Sequence, residues 1–440
     1  MCARESLGAV MRVLVASMPA DGHFKPLTGI AAHLSARGHD VRWYAGPMYG
    51  RKLDALGMTW FPYSRATEVT GENLNELFPE RVGLKGPRRL SFDLEKFFVA
   101  NVDNHFHDIE ELRSEFPFDV LLCDGAMYVE KLVAERLGIP VFALSLTTVM
   151  PDSQGPPPFF GLRPARTILG RTHHRVVRRM VASASKRGVL TYNEILARHD
   201  VAPLPLDGFP HMPMAAARRV FLNGSPGLEF PGYRMPANAE YVGPLVPARV
   251  PLPRDASPLP PAVLDPGAKV VAVSQGTVDH TDPTKLIIPT LEALKDGPYV
   301  VVATTGGART AELRQRFAAQ NIVVEDFVDY DALFPYVDVF VTNGGFGSVL
   351  AAIRYGVPIV AAGKTEGKND ICARIGHNHL GIDLRKERPK PARIRSAVGR
   401  VLTDPTFSAH VDALRKELES YDPLARIEAV LHDALLPAGH

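Results

Sequence analysis

A histidine and an aspartate, His23 and Asp124, directly follow two apolar segments and could together remove a proton from a substrate. His23 lies in the turn GHFKP after MRVLVASM, and Asp124 follows VLLC. Histidine is the usual general base near neutral pH, and a carboxylate that fixes its tautomer makes it more effective. We therefore expect both side chains at one sheet edge, as a base and its orienting partner. For Asp124 alone, the N-cap of a helix is an equally good interpretation.

A glycine-rich segment, residues 341–358 with the sequence VTNGGFGSVLAAIRYGVP, could bind a phosphate or diphosphate. The pattern predicts a strand, a glycine turn, a helix and a second strand. Glycines allow a ligand to approach the backbone closely, and the following helix offers free N–H groups and the positive end of its dipole. A tight turn without any ligand is the alternative. The polar and glycine residues of the turn are Asn343, Gly344, Gly345, Gly347 and Ser348.

Two other motifs carry less weight. Asp329 and Asp331 form a DxD pattern that could hold a divalent metal on a diphosphate, but they lie between a predicted strand and a predicted helix. Asp331 would there make a good N-cap, so we predict no metal site. Gly345 and Gly347 could open a dinucleotide fingerprint, but Leu350 stands where the third glycine would be. We therefore predict no bound cofactor.

Composition restricts the class of protein. The 440 residues are enough for two or three domains, and 46% hydrophobic residues suffice for large cores. A net charge of +2 gives no indication of nucleic-acid binding. The three cysteines are far apart and form neither a metal pattern nor a disulfide framework, so we expect a cytoplasmic protein. Residues 1–10 lack the apolar core of a signal peptide, and we expect them to be a disordered tail.

The elements that must position these residues alternate between strands and helices. In the first half MRVLVASM, DVRWYAG, FDVLLCDGAM, IPVFALSL, RVFLNGS and AEYVGPL are predicted strands, with a helix at about 27–37. The proline-rich residues 246–266 predict a linker. After the linker the alternation of strands and helices begins again, and the predicted strands are KVVAVSQGT, YVVVATTGG, NIVVEDFVDY, VDVFVTNGG and PIVAAGK. We therefore predict an α/β protein with two doubly wound parallel sheets that face a cleft.

The segment 163–187 is strongly basic and contains no acidic residue. It could contact an anionic membrane surface or an acidic acceptor. We favour the alternative, a solvated helix preceded by a flexible loop over the cleft.

Together, GHxxP after the first strand, SQGT at the start of the second domain and TNGGxGS…GVP resemble the nucleotide-sugar-dependent inverting glycosyltransferases of natural-product and glycolipid pathways. The resemblance covers about residues 11–436 and implies the two-domain GT-B architecture. It implies an acceptor domain at 11–245, a linker at 246–266 and a nucleotide-sugar domain at 267–440. The last helix, at about 422–436, would pack back on the first domain.

The resemblance also implies the roles of individual residues. His23 would deprotonate the acceptor hydroxyl, and Asp124 would orient it. A nucleoside diphosphate sugar would be the co-substrate, without a metal or cofactor, and the acceptor a small molecule or lipid. A monomer or homodimer is expected. The implied donor-binding residues are Ser274, Thr277, Phe327, Val328, Asn343, Gly344, Gly345, Gly347, Ser348, Glu366 and Lys368.

The sequence departs from the family pattern in the donor site. Common members have histidine at Asn343, glutamate for the ribose at Ala351, and an Asp-Gln pair for the sugar at Gly367 and Lys368. The changes predict a uridine- or thymidine-linked deoxy or modified sugar rather than UDP-glucose. Two other functions remain open: a sugar-nucleotide epimerase or hydrolase on the same fold, and a non-catalytic partner protein that has lost the site.

Overall fold

The computed structural model describes residues 10–71, 73–146, 155–206, 213–249, 259–276, 281–365 and 367–435. Within them the chain forms two parallel sheets, each covered by helices on both faces. This confirms the predicted GT-B architecture of two doubly wound domains. Of the predicted linker, residues 250–258 lie outside the described part, and the exact domain limits stay a prediction.

The first sheet has seven strands in the order β3-β2-β1-β4-β5-β6-β7. All named strand pairs in it are parallel. The order reverses between β1 and β4, and crevices at such switch points are where doubly wound folds bind ligands. The strands are β1 Arg12–Ala16, β2 Asp40–Ala45, β3 Thr59–Pro62, β4 Val120–Asp124, β5 Val141–Ser145, β6 Arg219–Asn223 and β7 Ala239–Gly243.

The second sheet has six parallel strands in the order β10-β9-β8-β11-β12-β13, so its switch point lies between β8 and β11. Its strands are β8 Lys269–Ser274, β9 Tyr299–Thr304, β10 Ile322–Glu325, β11 Val339–Thr342, β12 Ile359–Ala361 and β13 Gly381–Asp383.

Helices connect the strands. Those of the first half are α1 Asp21–Ala36, α2 Gly50–Ala55, α3 Leu74–Leu77, α4 Gly86–Phe92, α5 Val102–Glu115, α6 Glu130–Leu137 and α7 Ile168–Arg198, with a π-helix at Asp93–Val99. Those of the second half are α8 Ile287–Leu294, α9 Thr310–Arg316, α10 Tyr330–Leu333, α11 Phe346–Arg354, α12 Lys368–His377, α13 Pro391–Thr403, α14 Pro405–Glu419 and α15 Pro423–Leu435.

The strands read as continuous apolar runs because both faces of each sheet are buried. In β1, Val13 and Val15 belong to one core cluster, while Leu14 and Ala16 belong to the cluster on the opposite face. The last helix, α15, contributes Ile427, Leu431 and neighbouring residues to the first domain's core. Helix α15 is therefore packed on the first domain.

Four elements differ from the expectations. The helix after β1 begins at Asp21 rather than near Leu27, because the turn residues Gly22 to Pro26 are already helical. Strands β3 and β13 were not predicted, since they are short edge strands that lack a long apolar run. Asp331 is not the N-cap of α10: Asp329 is, and its carboxylate accepts a hydrogen bond from the Asp331 N–H at 2.9 Å.

Candidate active site

His23 and Asp124 meet at the switch point of the first sheet. His23 is in the first turn of α1, just after β1, and Asp124 is the last residue of the neighbouring strand β4. The Nδ1 atom of His23 lies 2.7 Å from Oδ2 of Asp124. The aspartate side chain is 2% exposed, whereas the histidine side chain is 27% exposed and therefore accessible.

This contact fixes the state of the histidine ring. A carboxylate oxygen only accepts hydrogen bonds, so Nδ1 of His23 donates and Nε2 is left free to take a proton. The backbone N–H of Ala126 also donates to Asp124, at 3.1 Å, and holds the carboxylate in place. Burial opposes the charged imidazolium, but the Asp124 carboxylate outweighs it, so the pKa of His23 is raised. The pair is thus arranged as a general base and its orienting group.

The glycine-rich turn occupies the equivalent place in the second domain. It follows β11 at the second switch point, and Gly345 is the N-cap of α11. The first N–H groups of an α-helix have no acceptor within the helix, so those of α11 are available to a ligand. Helices α1 and α11 are in contact, so the helix that carries His23 packs against the helix that begins at the glycine turn.

Packing explains two residues of this turn. Gly344 has a φ of +87°, and a Cβ there would lie 2.6 Å from Sγ of Cys372. The amide of Asn343, which is buried, donates to the backbone oxygen of Gln275, and its Oδ1 accepts from the Gly345 N–H at 3.3 Å. Asn343 therefore ties the turn after β11 to the turn after β8.

Gly347 and Ser348 complete the turn. A Cβ on Gly347 would meet no protein atom within 4 Å, so this position borders open space. The Ser348 hydroxyl donates to the Gly345 backbone oxygen at 2.9 Å. The N-terminus of α11 is therefore both rigid and open on one side.

The turn after β8 adds a hydroxyl. Ser274 is buried, and its Oγ accepts from the Gly276 N–H at 3.2 Å. Sequence reasoning missed its neighbour Tyr330, whose hydroxyl lies 3.2 Å from Oγ1 of Thr304. Burial raises the pKa of Tyr330, although the hydroxyl groups of Ser274 and Thr304 oppose this. Thr277 and Glu366, two predicted donor-binding residues, lie outside the described residues.

The remaining donor-side predictions lie around these turns. Phe327 is 61% exposed beside the turn at Gly307, so its ring face is open to a ligand. Val328 instead packs partly against the hydrophobic core. Gly367 is the N-cap of α12 in the left-handed conformation, and Lys368 is the first residue of that helix. The backbone oxygen of Lys368 lies 3.1 Å from the Cβ position of Gly344, so α12 begins beside the glycine turn.

An apolar recess in the first domain was also missed from the sequence. It lies beside β1 and is lined by Met18, Val69, Phe97, Phe98 and His105, among others. Phe97 and Phe98 belong to the π-helix, whose geometry places consecutive aromatic rings in contact, with centroids 4.6 Å apart. The sequence signal is the FF pair in DLEKFFV, but the recess depends on a helix type that apolar periodicity does not predict.

Two clusters among the described residues have spacings that could suit a metal, but hydrogen bonding accounts for both. In one, the Met11 N–H donates to Nδ1 of His39, so Nε2 carries the proton and faces Glu428 on α15 at 3.4 Å. In the other, Nε2 of His199 pairs with Asp103 at 2.6 Å. Of the discounted DxD pair, Asp331 accepts from the Tyr355 hydroxyl at 2.8 Å.

The GT-B architecture has two Rossmann-type domains. Here one domain carries the His23–Asp124 pair and the other a glycine-rich helix N-terminus, each at the switch point of its sheet. A family model described as the erythromycin biosynthesis protein CIII-like C-terminal domain matches residues 295–428. The chain is 34% identical over 423 residues to 4'-demethylrebeccamycin synthase of Lentzea aerocolonigenes, which covers 95% of this chain and 98% of the relative. The chain thus belongs to the GT-B UDP-glycosyltransferase-like family and is a glycosyltransferase.

Other similarities extend over the whole chain. UDP-glycosyltransferase 2 of Phaeomoniella chlamydospora is 27% identical over 433 residues and covers 94% of both chains. The crystal structure of the glycotransferase of kitacinnamycin has a TM-score of 0.74 at 20% identity and covers 97% of this chain and 100% of its own. At that identity the structural match supports the fold alone.

Proposed function

We propose that the protein is an inverting, metal-independent glycosyltransferase that moves a sugar from a UDP or dTDP sugar to a hydroxyl group of a small-molecule natural product or lipid. The observation that carries this proposal is the His23–Asp124 pair, whose side-chain atoms are 2.7 Å apart. His23 lies on α1, the helix that contacts α11 of the second domain. The free Nε2 of His23 is the group that acts on the acceptor, and the N-terminus of α11 is the part of the site that holds the donor.

His23 acts on the acceptor. A hydroxyl group is a poor nucleophile, so Nε2 removes its proton as the oxygen bonds to the anomeric carbon of the sugar. The imidazolium that forms carries a positive charge, which the buried Asp124 carboxylate stabilises. Because attack comes from the side opposite the leaving nucleotide, the configuration at the anomeric carbon inverts.

The second domain acts on the donor. Negative charge grows on the diphosphate as it leaves, and the free N–H groups and dipole of α11 stabilise that charge without requiring a metal ion. Ser274, Thr277 and Ser348 are the hydroxyl groups proposed to add contacts. Phe327, with its open ring face, is proposed to stack on the nucleoside base.

The recess beside Phe97 and Phe98 is proposed to form one wall of the acceptor site, since by itself it has room for little more than a water molecule. It lies at the end of β1, next to the segment that carries His23, and its lining is mostly apolar. An acceptor with an apolar ring system fits such walls better than a free sugar does. The name of 4'-demethylrebeccamycin synthase supports a natural product as the acceptor.

The donor sugar is inferred from the departures in the donor site. Ala351 offers no hydrogen bond to a ribose, and Gly367 offers none to a sugar hydroxyl. A lost hydrogen bond of a charged group is worth about 1.5–3 kcal/mol, or about 10- to 100-fold in binding. We therefore expect a UDP- or dTDP-linked deoxy or modified sugar to be used about 10- to 100-fold better than UDP-glucose.

A competition among nucleotide sugars at equal concentration, run in excess EDTA, tests this expectation. Asparagine tolerates the left-handed backbone of Gly367 and can hold a hydroxyl, so Gly367→Asn should raise the use of UDP-glucose. If wild-type protein clearly prefers UDP-glucose, Glu366 and Lys368 rebuild the common sugar site and the inferred donor is wrong. Loss of turnover in EDTA would contradict metal independence.

A further inference from the structure

The outward face of α7 combines basic and exposed apolar side chains. The helix is 31 residues long, and its inner face buries Val177, Val181 and Tyr192. On the opposite face Ile168 is 73%, Leu169 84% and Val176 59% exposed. Interspersed with them at helical spacing are the exposed Arg175, Arg179 and Lys186. We call these six outward residues the basic face.

The cations of the basic face are not matched by carboxylates of the chain. The sequence has no aspartate or glutamate from 155 to 193. In the described structure Arg175, Arg179 and Lys186 make no ion pair, whereas Arg187 at the flank pairs with Glu95 at 3.0 Å. An anion that neutralises the basic face must therefore come from outside these residues.

A neighbouring segment is also basic. Helix α4 packs against α7, and this helix and the residues just before it carry the exposed Lys85 and Arg88 and a 67% exposed Val82. The nearby Asp93 is already paired with Arg81, at 2.6 Å. Positive charge and an exposed apolar side chain thus also occur in the segment that adjoins α7.

We propose that the basic face of α7 docks on an anionic lipid surface. An interfacial helix places apolar side chains at the boundary of the acyl chains and its cations among acidic headgroups, and both kinds of side chain are present here. No helix in the described part of the chain is long and apolar enough to cross a membrane, so α7 would lie along the surface. From the sequence we favoured a purely solvated helix for the segment 163–187. We now prefer docking, because the structure places apolar residues of α7 on its outward face.

Docking in this way has a consequence that rests on the proposed function. The inner side of α7 packs on the π-helix that lines the acceptor recess. The loop before α7 reaches the donor domain, where the Gly161 N–H donates to Asp370 at 2.7 Å. A docked protein would hold both the recess and the cleft near the lipid surface, where apolar acceptors concentrate.

Sedimentation with vesicles of phosphatidylcholine containing 30% phosphatidylglycerol, compared with pure phosphatidylcholine, tests the proposal at roughly 0.1 M salt. Wild-type protein should bind the anionic vesicles. The triple variant Arg175→Ser/Arg179→Ser/Lys186→Ser removes the three cations of the basic face. Because each one or two cations removed lowers the affinity for anionic vesicles about tenfold, this variant should bind on the order of 100-fold more weakly. A control with the same charge change on an exposed surface of the second domain should bind like wild type; it is Lys386→Ser/Lys390→Ser/Arg393→Ser.

A second variant separates apolar insertion from charge. Ile168→Ser/Leu169→Ser/Val176→Ser keeps the charge and should also weaken vesicle binding, with little effect on folding because these side chains are exposed. The proposal is overturned if wild-type protein does not bind anionic vesicles, or if the control variant loses binding as strongly as the triple variant. Vesicle binding needs no turnover, and sugar transfer to a water-soluble acceptor without vesicles should be equal in all variants. Failure of docking and failure of the proposed function are therefore distinguishable.

Discussion

His23→Ala is expected to lower kcat for sugar transfer by about 10²- to 10⁴-fold, the range that a general base contributes. The imidazole Nε2 is the group proposed to take the acceptor proton, and alanine cannot replace it. Donor binding should change little, because the glycine turn lies on the other domain. The measurement is single-turnover transfer together with the Kd for nucleoside diphosphate. A turnover within tenfold of wild type would show that His23 is not the base.

Two further variants control for structure. His23→Gln can still donate a hydrogen bond to Asp124 but cannot act as a base, so it should be as inactive as His23→Ala while it keeps the fold. Asp124→Asn should cost about 10- to 100-fold, because it removes a charged hydrogen bond and keeps the base. A loss in Asp124→Asn that equals or exceeds that of His23→Ala would mean that the two roles are reversed.

The pH profile of Asp124→Asn gives an independent readout. In wild-type protein the Asp124 carboxylate outweighs the effect of burial and raises the pKa of His23, so activity should fall as pH drops through a value above 6.5. Without the carboxylate only burial remains, which lowers that pKa. The acidic limb of the profile should therefore move to lower pH in Asp124→Asn, a shift that a purely structural role would not produce.

Gly347→Ala is expected to have opposite effects on stability and on donor binding. Its Cβ would touch no protein atom, and alanine is the better helix former, so thermal stability should stay equal or rise slightly. The same methyl group would occupy the space proposed for the diphosphate beside the N-terminus of α11. Affinity for nucleoside diphosphate should therefore fall by at least about tenfold, as measured by calorimetry.

Gly399→Ala is the matched control. This glycine lies inside α13, and a Cβ on it would also meet nothing within 4 Å. The variant should gain stability in the same way and bind the donor like wild type. If Gly347→Ala also binds the donor like wild type, the diphosphate does not lie beside α11 and the donor site is misplaced.

Much of the fold could be predicted from the sequence because strands buried on both faces have an unmistakable apolar pattern. In parallel sheets, functional sites lie at the carboxyl ends of the strands, so the predicted strands place His23 and Asp124 at the same edge. The structure shows the two side chains in contact. The parts of the fold that could not be predicted are short elements, which are held by contacts of only a few residues. The edge strands β3 and β13 have too little buried length to give a signal.

Within the site, some contacts could not be predicted for a similar reason. Asn343 was predicted from its position to contact a phosphate; that contact stays a prediction, but the hydrogen bond from its amide to the neighbouring turn at Gln275 was not foreseen. Tyr330 was noticed only as the middle of a DxD pattern, whereas its hydroxyl lies 3.2 Å from Oγ1 of Thr304 on another strand. Such roles depend on which neighbouring turn a side chain meets, and local patterns do not encode that.

The central claim is that one direct displacement links the acceptor at His23 to a donor held at the N-terminus of α11. The most direct measurement is the anomeric configuration of freshly formed product, read by proton NMR from a donor of known configuration. The account predicts inversion: an α-linked donor gives a β-glycoside. Retention of the donor's configuration would contradict a single displacement from the side opposite the nucleotide, and with it the assignment of His23 as its base.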